Sequence, residues 1–382
     1  MTHTSSESGL ARAPRGFSWR RWRNRKIASP AFQSWASRFA LTRRHSKREG
    51  EKLFDLVSGF VYSQVLWAVV DLDLLTATCD APQSVSALAS RCRIPEDRMQ
   101  ALCQAATALE LFERVKGGYQ LAPLGAALIG VPGVIGMIQH HDVFYRDLED
   151  PIALLRGEKE TELARFWPYV FGAGSAENPE VADRYSRLMA DSQSLVAEET
   201  LRTISFDGIR RLLDVGGGTG AFLAAVGARY PDLKMTLFDL PAVAPAAEAR
   251  FLDRGLSDRT RIVSGSFRDD PLPEGADAIS LIRVLYDHAD ETVRALLASV
   301  HAALPAGGRL IVSEPMSGGD QPQRAGDAYF AFYCMAMQTG RARSAARIAE
   351  LAQEAGFVEI EIPATRRPFI TSVVTARKPG VA

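Results

Sequence analysis

The sequence predicts an α/β protein in which a doubly wound sheet of seven strands follows an N-terminal α-helical winged-helix domain. Three observations predict it. From Arg211 onward, seven short apolar runs alternate with stretches of helical period, the pattern of a mostly parallel sheet. A glycine-rich loop, Gly216-Gly-Gly-Thr-Gly220, sits between the first of these strands and the first helix after it. Upstream, two helical segments precede a hairpin signal, Gly117-Gly118, set between apolar runs.

At 382 residues the chain is too long for one ordinary domain. Four spans are expected: a basic flexible tail over 1–48, a winged-helix domain over 49–150, a helical connection over 151–205 and the sheet domain over 206–382. The formal net charge of zero conceals an asymmetry. Residues 1–48 hold twelve of the 45 Lys and Arg and one acid, Glu7, which leaves 33 basic and 44 acidic residues, a net of −11, in the remainder. Phe17, Trp19, Trp22, Phe32, Trp35 and Phe39 are interleaved with the positive charges. Three readings stay open for this tail: a solvated disordered segment, an arm on an anionic membrane surface, or a nucleic-acid contact.

Four cysteines (Cys79, Cys92, Cys103, Cys334) without a C-x-x-C pair predict reduced thiols in the cytoplasm. The N-terminus has no apolar core of a secretory signal, and none is expected. The most apolar stretch, Gly59–Val70, is shorter than the roughly 20 residues that span a bilayer. A buried helix is expected there, within a helix or helix pair from Lys52 to about Leu75.

Ser84 is placed to cap a helix over Val85–Ser90, and Pro95 to open a second reaching about Glu110, with Met99, Leu102, Ala106 and Leu109 on one face. Leu111–Val115 and Tyr119–Leu121 form the hairpin. Such a unit can bind DNA, but its second helix carries Glu96, Asp97 and Glu110 rather than a basic stripe. Dimerisation and a lid over substrate are the expected roles. A long amphipathic helix is expected over Val181–Thr203. The strands are read at Arg211–Val215, Lys234–Asp239, Arg261–Ser264, Ala278–Val284, Arg309–Ser313, Glu359–Ile362 and Ile370–Thr375. The helices between them are Ala221–Tyr230, Val243–Asp253, Asp290–Ala303 and Ser344–Ala355.

The loop reads Asp214-Val-Gly216-Gly-Gly218-Thr-Gly220. Glycines let backbone approach a ligand closely. The spacing is G-x-G-x-G, whereas Rossmann dinucleotide sites prefer G-x-G-x-x-G with a pyrophosphate at the helix N-terminus. An acid two residues before the first glycine suits a cation better than a phosphate. S-adenosyl-L-methionine, which carries an ammonium and a sulfonium, fits this Rossmann-like loop better than NAD. Asp239 ends the second strand about 20 residues on, where an acid can accept both ribose hydroxyls.

With these motifs the C-terminal two-thirds resembles the O-methyltransferase family that includes the plant phenylpropanoid enzymes. The resemblance runs through Asp214–Gly220, Phe238-Asp-Leu-Pro241, Gly265-Ser-Phe267, Leu285–Glu291, Leu310–Glu314, Gly340-Arg-Ala-Arg-Ser344 and Ala355-Gly-Phe357. It implies a homodimer held by the winged-helix domain, and it implies Asp214, Gly216, Gly218, Gly220, Asp239, Leu240, Ser266, Phe267 and Arg283 as cofactor-binding residues, with S-adenosyl-L-homocysteine as product. Glu51–Gln64 and Arg283–His288 further resemble the purple-bacterial O-methyltransferases that act on the C-1 tertiary hydroxyl of acyclic carotenoids.

Departures from the family pattern bear on the chemistry. Where the family carries its general-base His, this chain has Tyr286, and its histidine is His288. Glu314 matches one of the two acids that flank the base, and Ala342 replaces the other. Ser266 stands for a common Asp, and Arg283 is the candidate replacement for a missing Lys near Ile282. The candidate proton acceptors are Tyr286, Asp287, His288 and Glu314, with Glu314 and either His288 or Tyr286 expected to share proton removal.

An apolar acceptor calls for an apolar pocket, expected from Met189 and from Phe330, Tyr333 and Met337 in the aromatic- and Met-rich run Asp327–Met337. His140 and His141 are adjacent, not at i, i+4, and no metal is expected. Two alternatives stay open: a methyltransferase of an aromatic or polyketide hydroxyl, and a DNA-binding regulator that senses S-adenosylmethionine. The expected partners are a small lipophilic hydroxylated substrate and a second copy, and the expected location is the cytoplasm, peripheral to the inner or photosynthetic membrane.

Overall fold

The computed structural model describes residues 18–166 and 193–380. The chain divides into two compact units, between Leu66 and Trp67.

The first unit does not carry the flexible tail over its described part. It forms helices α1 (Trp19–Ile27) and α2 (Pro30–Arg38) and most of α3 (Arg43–Asp71). Pro30 at the first turn of α2 costs no hydrogen bond there. The buried short helix expected at Gly59–Val70 is corrected. It belongs to the 29-residue α3, in which only Val69 and Val70 are buried, while Leu53, Phe54, Leu56, Val57, Phe60 and Val61 are exposed. By length and composition α3 could cross a membrane. The apolar run alone understates it because Lys52–Glu49 and Lys47–Glu51 pairs extend the helix upstream.

The second unit opens with α4 (Leu74–Ala77), then α5 (Val85–Cys92), whose first turn is capped by the Ser84 hydroxyl accepting from Ala87 N at 3.2 Å. α6 (Glu96–Ala108) and the antiparallel hairpin β1 (Phe112–Val115) and β2 (Gly118–Leu121) complete the winged helix. Leu88, Met99, Cys103, Ala106, Phe112 and Tyr119 are buried in this domain. Helices α7 (Pro123–Ile129), α8 (Pro132–Asp147), α9 (Pro151–Arg156) and α10 (Glu162–Phe166) follow. The expected helix over Val181–Thr203 is seen as α11 (residues 193–203). Its earlier part, with Met189, lies outside the described residues.

The sheet runs in the order β5-β4-β3-β6-β7-β9-β8. β3 (Arg211–Val215), β4 (Lys234–Asp239), β5 (Thr260–Ser264), β6 (Ala278–Ile282) and β7 (Arg309–Glu314) are parallel. β9 (Ser372–Arg377) inserts antiparallel between β7 and β8 (Val358–Glu361). Successive residues feed opposite faces. Leu213, Ile279 and Leu310 pack under α14 (Asp290–Ala303) and α16 (Ala345–Glu354), while Leu212, Ala278 and Ile311 pack under α11, α12 (Ala221–Arg229) and α13 (Ala244–Asp253). β6 stops at Ile282, before the expected Val284, because Arg283 takes a left-handed φ of 58°. The strand order reverses at β3/β6, and open α/β sheets bind ligands beyond the carboxyl ends of the strands at that point.

Candidate functional site

The predicted residues gather at those carboxyl ends. Asp214 lies in β3, Asp239 ends β4, Ser266 and Phe267 follow β5, Arg283 follows β6, and Glu314 ends β7.

The loop after β3 is closely packed at Gly217 and Gly220. A Cβ on Gly217 would collide with the Asp214 carboxylate and Leu237, and one on Gly220, itself at φ 73°, would meet the Phe251 ring at 2.5 Å. Asp214 is fully buried. Its Oδ1 accepts from Ser280 Oγ at 2.6 Å, and its Oδ2 has no partner among the described residues. Burial, aided by the nearby Asp239 charge and opposed by the Ser280 bond, pushes its carboxyl up to about 7. A buried acid under the loop favours a nearby cation and disfavours a phosphate. The residues therefore fit the aminoacyl and sulfonium end of S-adenosylmethionine. Asp239 Oδ2 accepts from Gly218 N at 2.6 Å and Oδ1 from Leu240 N at 2.7 Å, which fixes the loop against β4. Ser266 Oγ turns to Asp269 within its own loop, at 2.9 Å.

A pH dependence follows from Asp214. A cation binds the ionised acid, so affinity for S-adenosylmethionine is level above pH 7 and falls below it, by roughly tenfold per pH unit. Binding near pH 6.5 releases a proton, detectable by calorimetry in buffers of different ionisation enthalpy. Asp214→Asn should abolish that proton release. Affinity independent of pH between 5 and 7 in the unmutated enzyme would refute the assignment.

A second cluster lies around the 3-10 turn Leu285–Asp287. Arg283 N donates to Ser313 O at 2.8 Å, and its Nη2 donates to the Tyr286 hydroxyl at 3.2 Å. Glu314, fully buried, accepts the Tyr286 amide on Oε2 at 3.1 Å. Glu314 Oε1 and Asp287 Oδ1 have no partner among the described residues. Burial pushes Glu314 up to about 8 and Asp287 up to about 7. The turn is packed from behind by Gly340, where a Cβ would strike the Tyr286 carbonyl, and Arg341 N donates to that carbonyl at 2.8 Å.

Two expected proton acceptors are engaged by neighbouring side chains. Burial drives the Tyr286 hydroxyl far above the usual tyrosine range, and it accepts from Arg283 while donating to the Asp287 carboxylate, so it stays protonated. His288 is held with the β5 loop: its Nδ1 pairs with Arg268 Nη2 at 3.1 Å, and its ring stands edge-on to Phe267 at 5.2 Å. Burial, then the Arg268 and Arg343 charges, lowers it to about 4. A neutral imidazole whose Nδ1 faces a guanidinium has no lone pair free there. Asp287 and Glu314 remain.

Sequence reasoning missed Arg343 as a positioning residue. Buried in full, it donates to the carbonyls of Leu285 (2.8 Å) and His288 (2.7 Å) and pairs with Asp290 at 2.7 Å, which locks both ends of the turn. The signal was in the quoted Gly340–Ser344 motif, which brings a cation beside Glu314.

The pocket expectation is also revised. A π-helical turn over Arg324–Phe330 leads into α15 (Ala331–Met337). Met337 is fully buried in a packed cluster with Phe144, Leu154, Leu163 and Ala336, and so does not line an open surface. Phe330 is half-buried, edge-on to Tyr329 at 5.0 Å. Tyr333 bonds His140 Nε2 at 3.0 Å, and Tyr329 bonds His141 Nε2 at 2.7 Å, so the adjacent histidines serve two tyrosines.

Comparison with known proteins agrees with this arrangement. The family model described as the O-methyltransferase domain matches residues 145–358, and that of the O-methyltransferase dimerisation domain matches residues 54–130. The demethylspheroidene O-methyltransferase of Cereibacter sphaeroides is 57% identical over 359 residues, covering 94% of this chain and 95% of that protein. The enzyme of the same name from Rhodobacter capsulatus is 54% identical, covering 89% and 85%. Among solved structures, human N-acetylserotonin methyltransferase in complex with SAM superposes with a TM-score of 0.74 at 24% identity, covering 87% of this chain and 98% of that one, which shows the shared fold.

Proposed function

The chain belongs to the O-methyltransferase family, and from that premise we propose that it methylates the C-1 tertiary hydroxyl of acyclic carotenoids such as demethylspheroidene and hydroxyneurosporene. It is an S-adenosylmethionine-dependent O-methyltransferase, and its dimerisation domain makes it a homodimer. The dimerisation match includes the region that was also open to a DNA-binding reading, and the exposed apolar face of α3 from Phe54 to Val61 falls inside it.

The observation that carries the acceptor is the 57% identity across nearly the whole length of a demethylspheroidene O-methyltransferase. Tyr286 supports it. A phenol is deprotonated before attack and calls for a free imidazole at that position, whereas a tertiary alcohol attacks neutral and loses its proton late.

The bound cofactor supplies an activated methyl group, transferred in line to the hydroxyl oxygen. Proximity and orientation contribute much of the rate, up to roughly 7–11 kcal/mol. In this reading Asp214 and Asp239 hold the cofactor. Arg283 holds the Tyr286 hydroxyl, which donates to Asp287 and so positions that carboxyl for the acceptor oxygen. Asp287 and Glu314 accept the proton that the methylated oxygen releases. Such a lipophilic acceptor resides in membrane, so the same reading places the enzyme in the cytoplasm, peripheral to the inner, pigment-bearing membrane.

Incubating the purified enzyme with labelled S-adenosylmethionine and a panel of 1-hydroxycarotenoids and phenolics tests the acceptor. Label is expected in the hydroxycarotenoids. Labelling of phenolics alone would overturn the reading.

A further inference from the structure

We propose that α1 and α2 form an interfacial anchor that docks on an anionic lipid bilayer. The inference stands without the carotenoid reading, because it rests on the composition and surface of the first unit alone.

Between Ser18 and Arg48 the chain has ten Lys and Arg and no Asp or Glu. No residue of α1 is buried. Its Trp19 and Trp22 stack on each other at 4.7 Å, yet Trp19 remains 61% exposed. In α2, Phe32, Trp35 and Ala36, with Phe39 just after the helix, fall at the i, i+3, i+4, i+7 spacing of one face. Phe32, Trp35 and Phe39 form a ladder with centroids 5.6 and 5.0 Å apart. Trp35 is 51% exposed, and Leu41 beyond it 85%. An aqueous surface has no use for stacked, exposed tryptophans. At a bilayer interface the indole sits at headgroup level, while neighbouring Arg and Lys meet lipid phosphates.

Charge selects lipid over a second copy. Pairing this surface with itself would set ten positive charges against ten. The apolar face assigned to dimerisation begins further on, at residue 54. At nine residues each, α1 and α2 are too short to cross a bilayer and suit a position in its plane. The chain from residue 49 on, at a net of −11, is repelled by an anionic membrane, which leaves this segment as the attractive one.

The test uses the full-length dimer without substrate, sedimented with phosphatidylcholine vesicles with or without phosphatidylglycerol. Binding is expected only with the anionic lipid, with a blue shift of tryptophan emission, and is weakened near 1 M salt, where screening acts over about 3 Å. Arg20→Glu with Arg21→Glu should lower partitioning by roughly tenfold or more. Trp19→Ala with Trp22→Ala and Trp35→Ala should lower it while leaving the dimer and the methylation of a detergent-dispersed acceptor intact. Failure of the unmutated chain to bind anionic vesicles would overturn the proposal, as would undiminished binding by both variants. Loss of the dimer in the tryptophan variant, with vesicle binding retained, would mark a face between copies and would also overturn it. Because vesicle binding is read without an acceptor, its failure is distinct from failure of the acceptor assay.

Discussion

Asp287→Asn combined with Glu314→Gln is expected to lower turnover by roughly 10²- to 10⁴-fold, the usual range for removing general-base catalysis, with little change in affinity for S-adenosylmethionine. Glu314 is buried and Asp287 half-buried, and each has one buried oxygen without a partner among the described residues. Burial raises both, Asp287 to about 7 and Glu314 to about 8, and the Asp287 charge adds to the rise at Glu314. They therefore titrate as a pair. An oxygen that has accepted a methyl cation is a far stronger acid than any carboxylic acid, so its acceptor needs proximity more than basicity. The pair must hold at least one open carboxylate. Turnover should climb with pH through 7 to 8 and then level, and the double variant should lose that limb. Stability gives an independent sign. Because the folded chain keeps a proton on Glu314 that the unfolded chain loses near 4.5, stability falls as pH rises from there through about 8. Glu314→Gln should flatten that decline, as followed by denaturant midpoints across the range. By contrast, Tyr286→Phe and His288→Ala should each keep turnover within about tenfold. Normal turnover in the double carboxamide variant, together with collapse in either of the other two, would return the base to Tyr286 or His288.

The contrast between the carboxyls and His288 shows where sequence reading stops. The strands, the glycine loop and Asp239 were legible because local signals place them: short apolar runs between helical stretches, a glycine-rich turn, and an acid at a strand end. The Ser84 helix start was legible as a cap. The position of β9 was not, since no local pattern reveals an antiparallel insertion between β7 and β8. The status of His288 depends on Arg268, brought to it by the neighbouring strand, and on Arg343, 55 residues away. His140 finds its tyrosine 193 residues on. Met337 reads as pocket or core with equal ease, because an apolar side chain on a helix declares a face and not what covers it. The exposure of α3 was missed for the same reason: an apolar run does not declare whether the rest of the chain covers it.

The largest loss of cofactor affinity is expected from Asp239→Ala, about 100-fold or more in Kd. Two ribose hydroxyls donating to a carboxylate contribute roughly 1.5–3 kcal/mol each, and every 1.4 kcal/mol is about tenfold. The substitution also strips Gly218 N and Leu240 N of their acceptor, so the loop that cradles the cofactor loses its tie to β4. Asp239→Asn separates the two contributions. The amide oxygen can keep one of the backbone bonds, but its NH₂ group faces the other N–H as a second donor, so the loop is held at one point and the ribose loses its charged acceptor. An intermediate loss, roughly tenfold or more, is expected from it. Calorimetric titration reads both values. Thermal unfolding provides a check that does not need saturation. At a cofactor concentration 100 times the Kd of the unmutated enzyme, binding stabilises that enzyme by about 2.7 kcal/mol, while a variant weakened 100-fold gains only about 0.4 kcal/mol. Unfolding without cofactor should remain cooperative, because Asp239 sits at the open end of β4 and outside the two packed faces of the sheet. A Kd within threefold of the unmutated value for Asp239→Ala would mean that the ribose is held elsewhere, and that Asp239 serves only to pin the glycine loop.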